Sequence, residues 1–450
     1  MSIQMRKMTE GSELRHILMF SIPLLIGNLF QQVYNITDSI VVGQYLGDDK
    51  LAAVGSTSSI TFLFYTICNG LSIGAGVLIA QCFGAGRDND VKKYITNSAY
   101  CIGAIGLVVS VVAALLAQPV LSLMGTPGHL LGDATAYMRI AVGGTIAVAA
   151  YNWINSVMRS LGDAKTPLIF LIISSLLNVG LDLLFVLVFN WGVSGAAWAT
   201  VIAQGLSSVL SIGYAFWKNP FFKFNKEHAA LNGNMLLRTV KTGVPIALQY
   251  GMVSVSMIFL QTIANGFGDT VMAAYTATMR VEQLIQQPFV SLNSAMSAFT
   301  GQNAGAGKPE RIEKGYRQAI KTCIIFAAAV MVVFLLLNRL IVGCFVSGSE
   351  TIDRGGSALM LSCLFYPFLG VLQATRGLLN GAGDVGYAFI NGLAEVVGRI
   401  GFGLILTAIT VIGSWAVWGT TCLTWVLTAV MGVIRYKSGR WRTKCYLTQE

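Results

Sequence analysis

The sequence predicts an all-α integral membrane protein, with twelve transmembrane helices arranged as two pseudo-symmetric six-helix bundles. Three observations predict it: too little charge for a wet surface, a regular series of long apolar runs, and a second half that repeats the first. Apolar residues fill 54% of the 450 positions and charged residues only 11%, where soluble domains carry about 25% charged. Mean hydropathy is +0.66. A core of this size cannot be wrapped in so few charges, and lipid is the solvent that suits it.

The apolar runs fall at 16–42, 54–82, 91–118, 132–158, 165–188, 193–217, 236–266, 271–303, 311–338, 349–380, 384–409 and 413–436. Each reaches the roughly 20 residues a helix needs to cross a bilayer. With the N-terminus on the cytoplasmic side, 24 of the 30 Lys and Arg lie on inside segments. Lys50, Arg339 and Arg354 are outside, and Arg139, Arg280 and Arg399 lie within runs. The positive-inside rule therefore puts both termini in the cytoplasm of a cell-membrane protein.

The longest polar interruption, 218–235, is expected to be a cytoplasmic linker between an N-lobe (1–217, spans 1–6) and a C-lobe (236–450, spans 7–12). Its Phe221, Phe222 and Phe224 stand among lysines and either rest on headgroups or belong to a solvated loop.

The two lobes repeat one another. FSIPLLIG around Pro23 answers KTGVPIAL around Pro245, and Gly47-Asp48 answers Gly268-Asp269. Gln81 and Gly84-Ala85-Gly86 answer Gln302 and Gly305-Ala306-Gly307, Gly162-Asp163 answers Gly383-Asp384, and SGAAWAT at 194–200 answers SWAVWGT at 414–420. The offset stays between 220 and 222 residues throughout. Six spans is an even number, so both halves insert the same way and form a parallel repeat, with substrate expected between them.

Other function classes find little support. The net charge of +10 is spread in short clusters between apolar runs, not over the continuous basic face that nucleic acid needs. Eight cysteines are scattered without a CxxC pair, and the three histidines show no metal-ligand spacing, so neither a disulfide framework nor a metal site is expected. No Walker A sequence points to ATP as the direct drive.

Several motifs carry a resemblance: NITDSIVVGQYLG in span one and its loop, AQCFGAG and GQNAGAG after spans two and eight, MRSLGDAKTP after span four, and NVGLDLLF in span five. Their order and spacing resemble the multidrug and toxic compound extrusion (MATE) transporters over essentially the whole chain. The resemblance implies two six-helix lobes around a V-shaped cleft and cation-coupled export of amphipathic, often cationic, organic compounds. Asp38 with Asn178 and Asp182 is similar to the pattern of the DinF-like branch, as opposed to the sodium-coupled branch with its key acids in the second lobe.

Acids at membrane depth are costly and point to function, and four lie inside runs: Asp38, Asp182, Glu282 and Glu395. Asn28, Gln31, Asn35 and Asp38 share one face of span one, and Ser174, Asn178 and Asp182 share one face of span five. Helical rise puts Asp38 about 6 Å and Asp182 about 9 Å below the outer ends. Asp38, Asn178 and Asp182 are therefore the expected site for the coupling proton or sodium ion. The competing reading is a hydrogen-bonded pair that holds spans one and five together. Under the repeat Asp38 falls on Phe259 or Leu260, Asn178 on Arg399 and Asp182 on Gly403, so the acids belong to one lobe only.

Asn28, Gln31, Asn35, Gln249, Gln261, Glu282 and Gln286 are the candidate substrate-contacting residues, with Glu282 paired to Arg280 or another cation as the alternative. Glu395 and Arg399, four apart on span eleven, are expected to satisfy each other. Arg139 is expected to snorkel, and Gln373 and Arg376 are further candidates. Pro23 removes a helix hydrogen bond and is the candidate hinge.

The expected function is cation-coupled antiport, by a proton in preference to sodium, of organic cations and drugs. The ion gradient is the driving force, and no cofactor, catalytic residue or obligate protein partner is called for in a chain expected to be monomeric. The alternative is a flippase for lipid-linked precursors, which calls for a cationic cleft able to hold pyrophosphate. An enzyme or receptor has no catalytic constellation to rest on and leaves the repeat unexplained.

Overall fold

Twice in the chain a glycine takes a backbone conformation closed to other residues, and twice a helix of 37 residues follows. Gly47 has φ 87° and ψ 173°, and Gly268 has φ 89° and ψ 174°, a region essentially restricted to glycine. A computed structural model of the chain describes residues 6–445, apart from the side chains of Asp48 and Ser59.

The helices in order are α1 (Glu13–Leu46), α2 (Asp48–Gly84), α3 (Asp88–Leu123), α4 (Gly128–Gly143), α5 (Thr145–Ser160), α6 (Lys165–Asp182) and α7 (Gly192–Lys218). The short α8 (Lys226–Ala229) is followed by α9 (Gly233–Asn265), α10 (Asp269–Gly305), α11 (Pro309–Gly343), α12 (Ser349–Ala382), α13 (Val385–Ala408) and α14 (Ala416–Lys437). The repeat is visible in these bounds, since α2 and α10 start and stop 221 residues apart.

Among the described residues, ten helices are long and apolar enough to cross a membrane, and the pair α4–α5 makes eleven. The twelfth long helix, α10, is as long as α2 but carries Arg280, Glu282, Gln283, Gln286 and Gln287 in its middle. It is the helix that needs protein around it most.

The run expected at 132–158 is not one straight helix. It bends by 41° between α4 and α5, at Gly144. A Cβ at Gly144 would collide with the Val201 side chain of α7, so the glycine lets that side chain sit against the backbone at the bend. The Ser110 hydroxyl accepts from the Ile146 amide at 3.0 Å, satisfying a donor at the break. A second irregularity follows α6, where Leu183–Val188 winds as a π-helix and Phe189 N donates five residues back to Leu184 O at 2.9 Å.

Contacts divide the chain into two compact units. The first holds Pro23–Ala247 with Arg6 and Lys7, and the second holds Met8–Ile22 with the chain from Leu248 on. The lobe boundaries expected at 217 and 236 thus differ from the observed grouping. The change of unit falls inside α1 at Pro23, and inside α9 two residues after Pro245.

In the first unit, α2 and α9 approach through small residues. A Cβ at Gly74 would lie 2.5 Å from Gly243 Cα, and one at Gly70 would strike the Ala247 backbone. Small residues four apart on both helices are how backbones come together where lipid removes the hydrophobic drive.

The linker also packs into the first unit. Phe222 is buried (1% exposed) against Trp153 and Phe216, and Phe221 packs on Phe83, so neither expectation for these two rings holds. Asn97 of α3 donates to Ala230 O and accepts from Asn232 N. Lys93 pairs with Glu227 at 2.6 Å, which holds the Glu227 carboxyl below its usual range.

In the second unit the segment before α1 is clasped by the loop after α10. Gln302 Oε1 accepts from Met8 N at 2.8 Å, and Lys308 Nζ and Arg311 Nη1 donate to Thr9 O and Gly11 O, both at 3.0 Å. All eight cysteines lie among the described residues, and none is joined in a disulfide.

Candidate functional site

Asp38 stands near the C-terminal end of α1, and Asp182 is the last residue of α6 before the π-helical turns. Their carboxyl groups lie within hydrogen-bonding reach of one another. Asp182 is wholly buried. Asp38 is half-buried as a residue, yet its Oδ1, like that of Asp182, is sealed from solvent and has no hydrogen-bond partner. One turn further along α1, Val41 and Val42 pack with Val186 of the π-helical segment, Ala196 and Tyr137. Apolar side chains therefore close over the acids on that side.

Asn178 lies one turn before Asp182 and is buried. The amide orientation that satisfies both its ends has the nitrogen donating to Asp182 Oδ2 at 3.2 Å and the oxygen accepting from Thr200 N of α7 at 3.3 Å. Tyr34, one turn before Asp38, is hydrogen-bonded to Gln204 of α7, and both Tyr34 and Tyr137 sit in the field of the two carboxylates. Asp38, Asn178 and Asp182 are thus brought together as the spacing suggested. The sequence reading missed Tyr34, Tyr137, Thr200 and Gln204. The Thr200–Gln204 step of four residues on one helix was the available signal.

Next to this group is a cavity of about 20 Å³. Gln31, Tyr34, Tyr151, Ser174, Asn178 and Gln204 are among its lining residues. It has room for about one water molecule.

Two touching carboxylates are an unstable arrangement when both are charged. Like charges 4 Å apart at an effective dielectric of about 20 repel by about 4 kcal/mol. A single proton or cation shared between them removes that repulsion.

The second unit uses the equivalent positions differently. A Cβ at Gly403, the counterpart of Asp182, would meet Phe259 Cε1 at 3.1 Å, and Phe259 is a counterpart of Asp38. The helices keep the same contact with a ring in place of the acids.

A different polar network is buried in the second unit. Glu395 accepts from Arg399 Nη2 at 2.8 Å and from Arg376. Arg376 Nε donates to Asn391 Oδ1 at 2.6 Å, which also accepts from Gln249 Nε2 at 3.2 Å. Arg399 further donates to the Ser256 hydroxyl and to Val253 O. The Glu395–Arg399 pair was expected; Arg376 as its third member was not.

The remaining candidates are dispersed. Gln261 bonds Asn265 on its own helix at 3.0 Å. Glu282 is hydrogen-bonded to Ser362 in the field of Arg399, and the alternative pairing with Arg280 does not form. Gln286 and Asn28 are half-buried, Asn35 and Gln31 are exposed, and of these only Gln31 lines the cavity. Asn293 donates to Gln373 at 2.7 Å, and Arg139 reaches Gln118.

Comparison with known proteins gives the same outline. The MatE family model matches twice, at residues 23–184 and 245–405, in the register of the repeat. The chain is 26% identical over 445 residues to the probable multidrug resistance protein YpnP of Bacillus subtilis (strain 168), covering 98% of this chain and 99% of that one. It is 27% identical over 387 residues to the probable multidrug resistance protein YoeA of the same organism, with 84% of each covered. A crystal structure of MATE in the bent conformation superposes with a TM-score of 0.91 at 23% identity, covering 100% of both chains, which shows a common fold. With one family model matched in each half, the chain belongs to the MatE family, transporters of the multidrug and toxic compound extrusion type that its motifs resemble.

Proposed function

We propose that the chain is a proton-coupled antiporter that exports amphipathic, often cationic, organic compounds across the cell membrane, with both termini cytoplasmic. The observation that carries the reading is the sealed Asp38–Asp182 pair with Asn178 donating an N–H to it. A proton needs only the two carboxylates. A sodium ion is a hard cation and favours a cage of oxygens, and the amide here turns its nitrogen to the acids. Relatives described as probable multidrug resistance proteins support the substrate class. The placement of the acids in the first half favours the DinF-like branch.

In this reading a proton enters the pair from the outside, worth about 2.3 kcal/mol per 100 mV of membrane potential. Neutralising the pair changes the packing of α1 against α6. Pro23, where α1 changes unit, is the joint that passes the change on to substrate release. The flippase alternative is less favoured, because Glu395 already accepts from the buried Arg399 and the half-buried Arg376 of the second unit. Thermal stabilisation of detergent-solubilised protein tests the substrate class. Stabilisation by organic cations and not by lipid pyrophosphates is expected, and the reverse overturns the proposal.

A further inference from the structure

On α5 and α7 of the first unit three buried polar atoms have no hydrogen-bond partner: Gln204 Oε1, Asn155 Oδ1 and Ser211 Oγ. An unsatisfied buried group costs about 1–3 kcal/mol, and three on two packed helices call for a common cause. Their alignment follows from the packing of α5 on α7. Gly144 abuts Val201, Ala147 lies against Gly205, and Met158 Sδ receives Asn219 Nδ2 at 3.7 Å. The helices run parallel, so Ser211 comes level with Tyr151 and its neighbours, and Asn155 lies about one turn further on, near Ala215.

These groups continue the cavity beside the acids. Tyr151 lines that cavity and is hydrogen-bonded to Asn155 one turn on. Gln204 lines it too and holds Tyr34. Thr200, Gln204, Ser207, Ser208 and Ser211 make a polar stripe down α7, and the three serines are buried. Tyr151 to the C-terminal end of α5 spans about 14 Å at 1.5 Å per residue.

We propose that the first unit contains a water-lined proton path from the Asp38–Asp182 pair to the cytoplasmic end of α5, by way of Gln204, Tyr151, Asn155 and Ser211. The path rests on the proton-antiporter reading and supplies its release step. A proton leaving the pair goes to water in the cavity, and each water or hydroxyl oxygen along the line (Tyr151, Ser211) accepts one proton as it gives up another, while the amide oxygens of Gln204 and Asn155 only accept hydrogen bonds that hold the water in place. The lining groups end unchanged and the pair regains its negative charge.

The test is made on the full chain in proteoliposomes. In the Asn155→Leu/Ser211→Val variant, proton-driven efflux of a fluorescent organic cation is expected to fall about tenfold or more. Binding of the same cation should remain within about twofold, since the changed groups lie off the site. Asn155→Ser, which keeps a polar group, should restore most of the rate. Hydroxyl-radical footprinting of the wild type, which marks side chains next to internal water, should label Tyr151, and the double variant should lose that label. Efflux unchanged in the double variant, or an unlabelled Tyr151 in a wild type that does transport, overturns the path alone. A labelled Tyr151 with no proton-driven efflux in the wild type overturns the antiporter reading and the path with it.

Discussion

Asp38 on α1 and Asp182 on α6 face each other with their carboxyl groups in contact, each leaving one oxygen sealed and unpartnered. The second unit repeats the helices and fills the same place with Phe259 against Gly403. A pair kept only for holding helices together has an apolar substitute in the same chain, and that comparison favours a coupling role for the acids.

Asn178 is the acids' neutral neighbour. Asn178→Leu removes the donor to Asp182 and should lower coupled efflux about tenfold, the worth of one hydrogen bond of about 1.4 kcal/mol. Substrate binding without a gradient should change little. Efflux kinetics set beside equilibrium binding decide the point.

Glu395 balances two guanidinium groups, the buried Arg399 and the half-buried Arg376. Glu395→Gln should lower stability by about 3–5 kcal/mol, as expected when a buried pair loses one partner. Adding Arg399→Met should restore part of the loss, because the two changes share a partner. Thermal unfolding in detergent reads both. Equal stability of Glu395→Gln and wild type would show that the network is not under load.

Gly74 meets Gly243 backbone to backbone. Gly74→Leu should cost about 1–3 kcal/mol or more by overpacking. Gly103→Ala, where an added methyl meets nothing within 4 Å, should gain about 0.5–1 kcal/mol from helix propensity. Melting curves of the two variants should therefore move in opposite directions.

Pro23→Ala should lower driven efflux about tenfold while leaving binding intact, as hinge changes do. Unchanged efflux would make the proline a structural kink only.

Much of this was legible in the sequence, for identifiable reasons. The repeat shows because glycines such as Gly47 and Gly268 are needed for the same backbone, so their spacing survives. Asp38 and Asp182 show because acids are conspicuous in apolar runs. The break at Gly144 was hidden, since Gly143-Gly144 inside an apolar run reads as ordinary helix until the approach of Val201 is known. The π-helical turns at 183–188 leave no mark in LLFVLV. Arg376 was separated from Glu395 by a change of helix, and only packing joins them. Phe221 and Phe222 looked exposed because lysines surround them, but their rings are buried, Phe221 on Phe83 and Phe222 on Trp153.

The most direct test is efflux of a fluorescent organic cation from proteoliposomes under a proton gradient or a sodium gradient, with wild type beside Asp38→Asn. The account predicts efflux driven by protons, absent with sodium alone, and lost in Asp38→Asn with the protein folded. Proton-driven efflux at the wild-type rate in Asp38→Asn would contradict it.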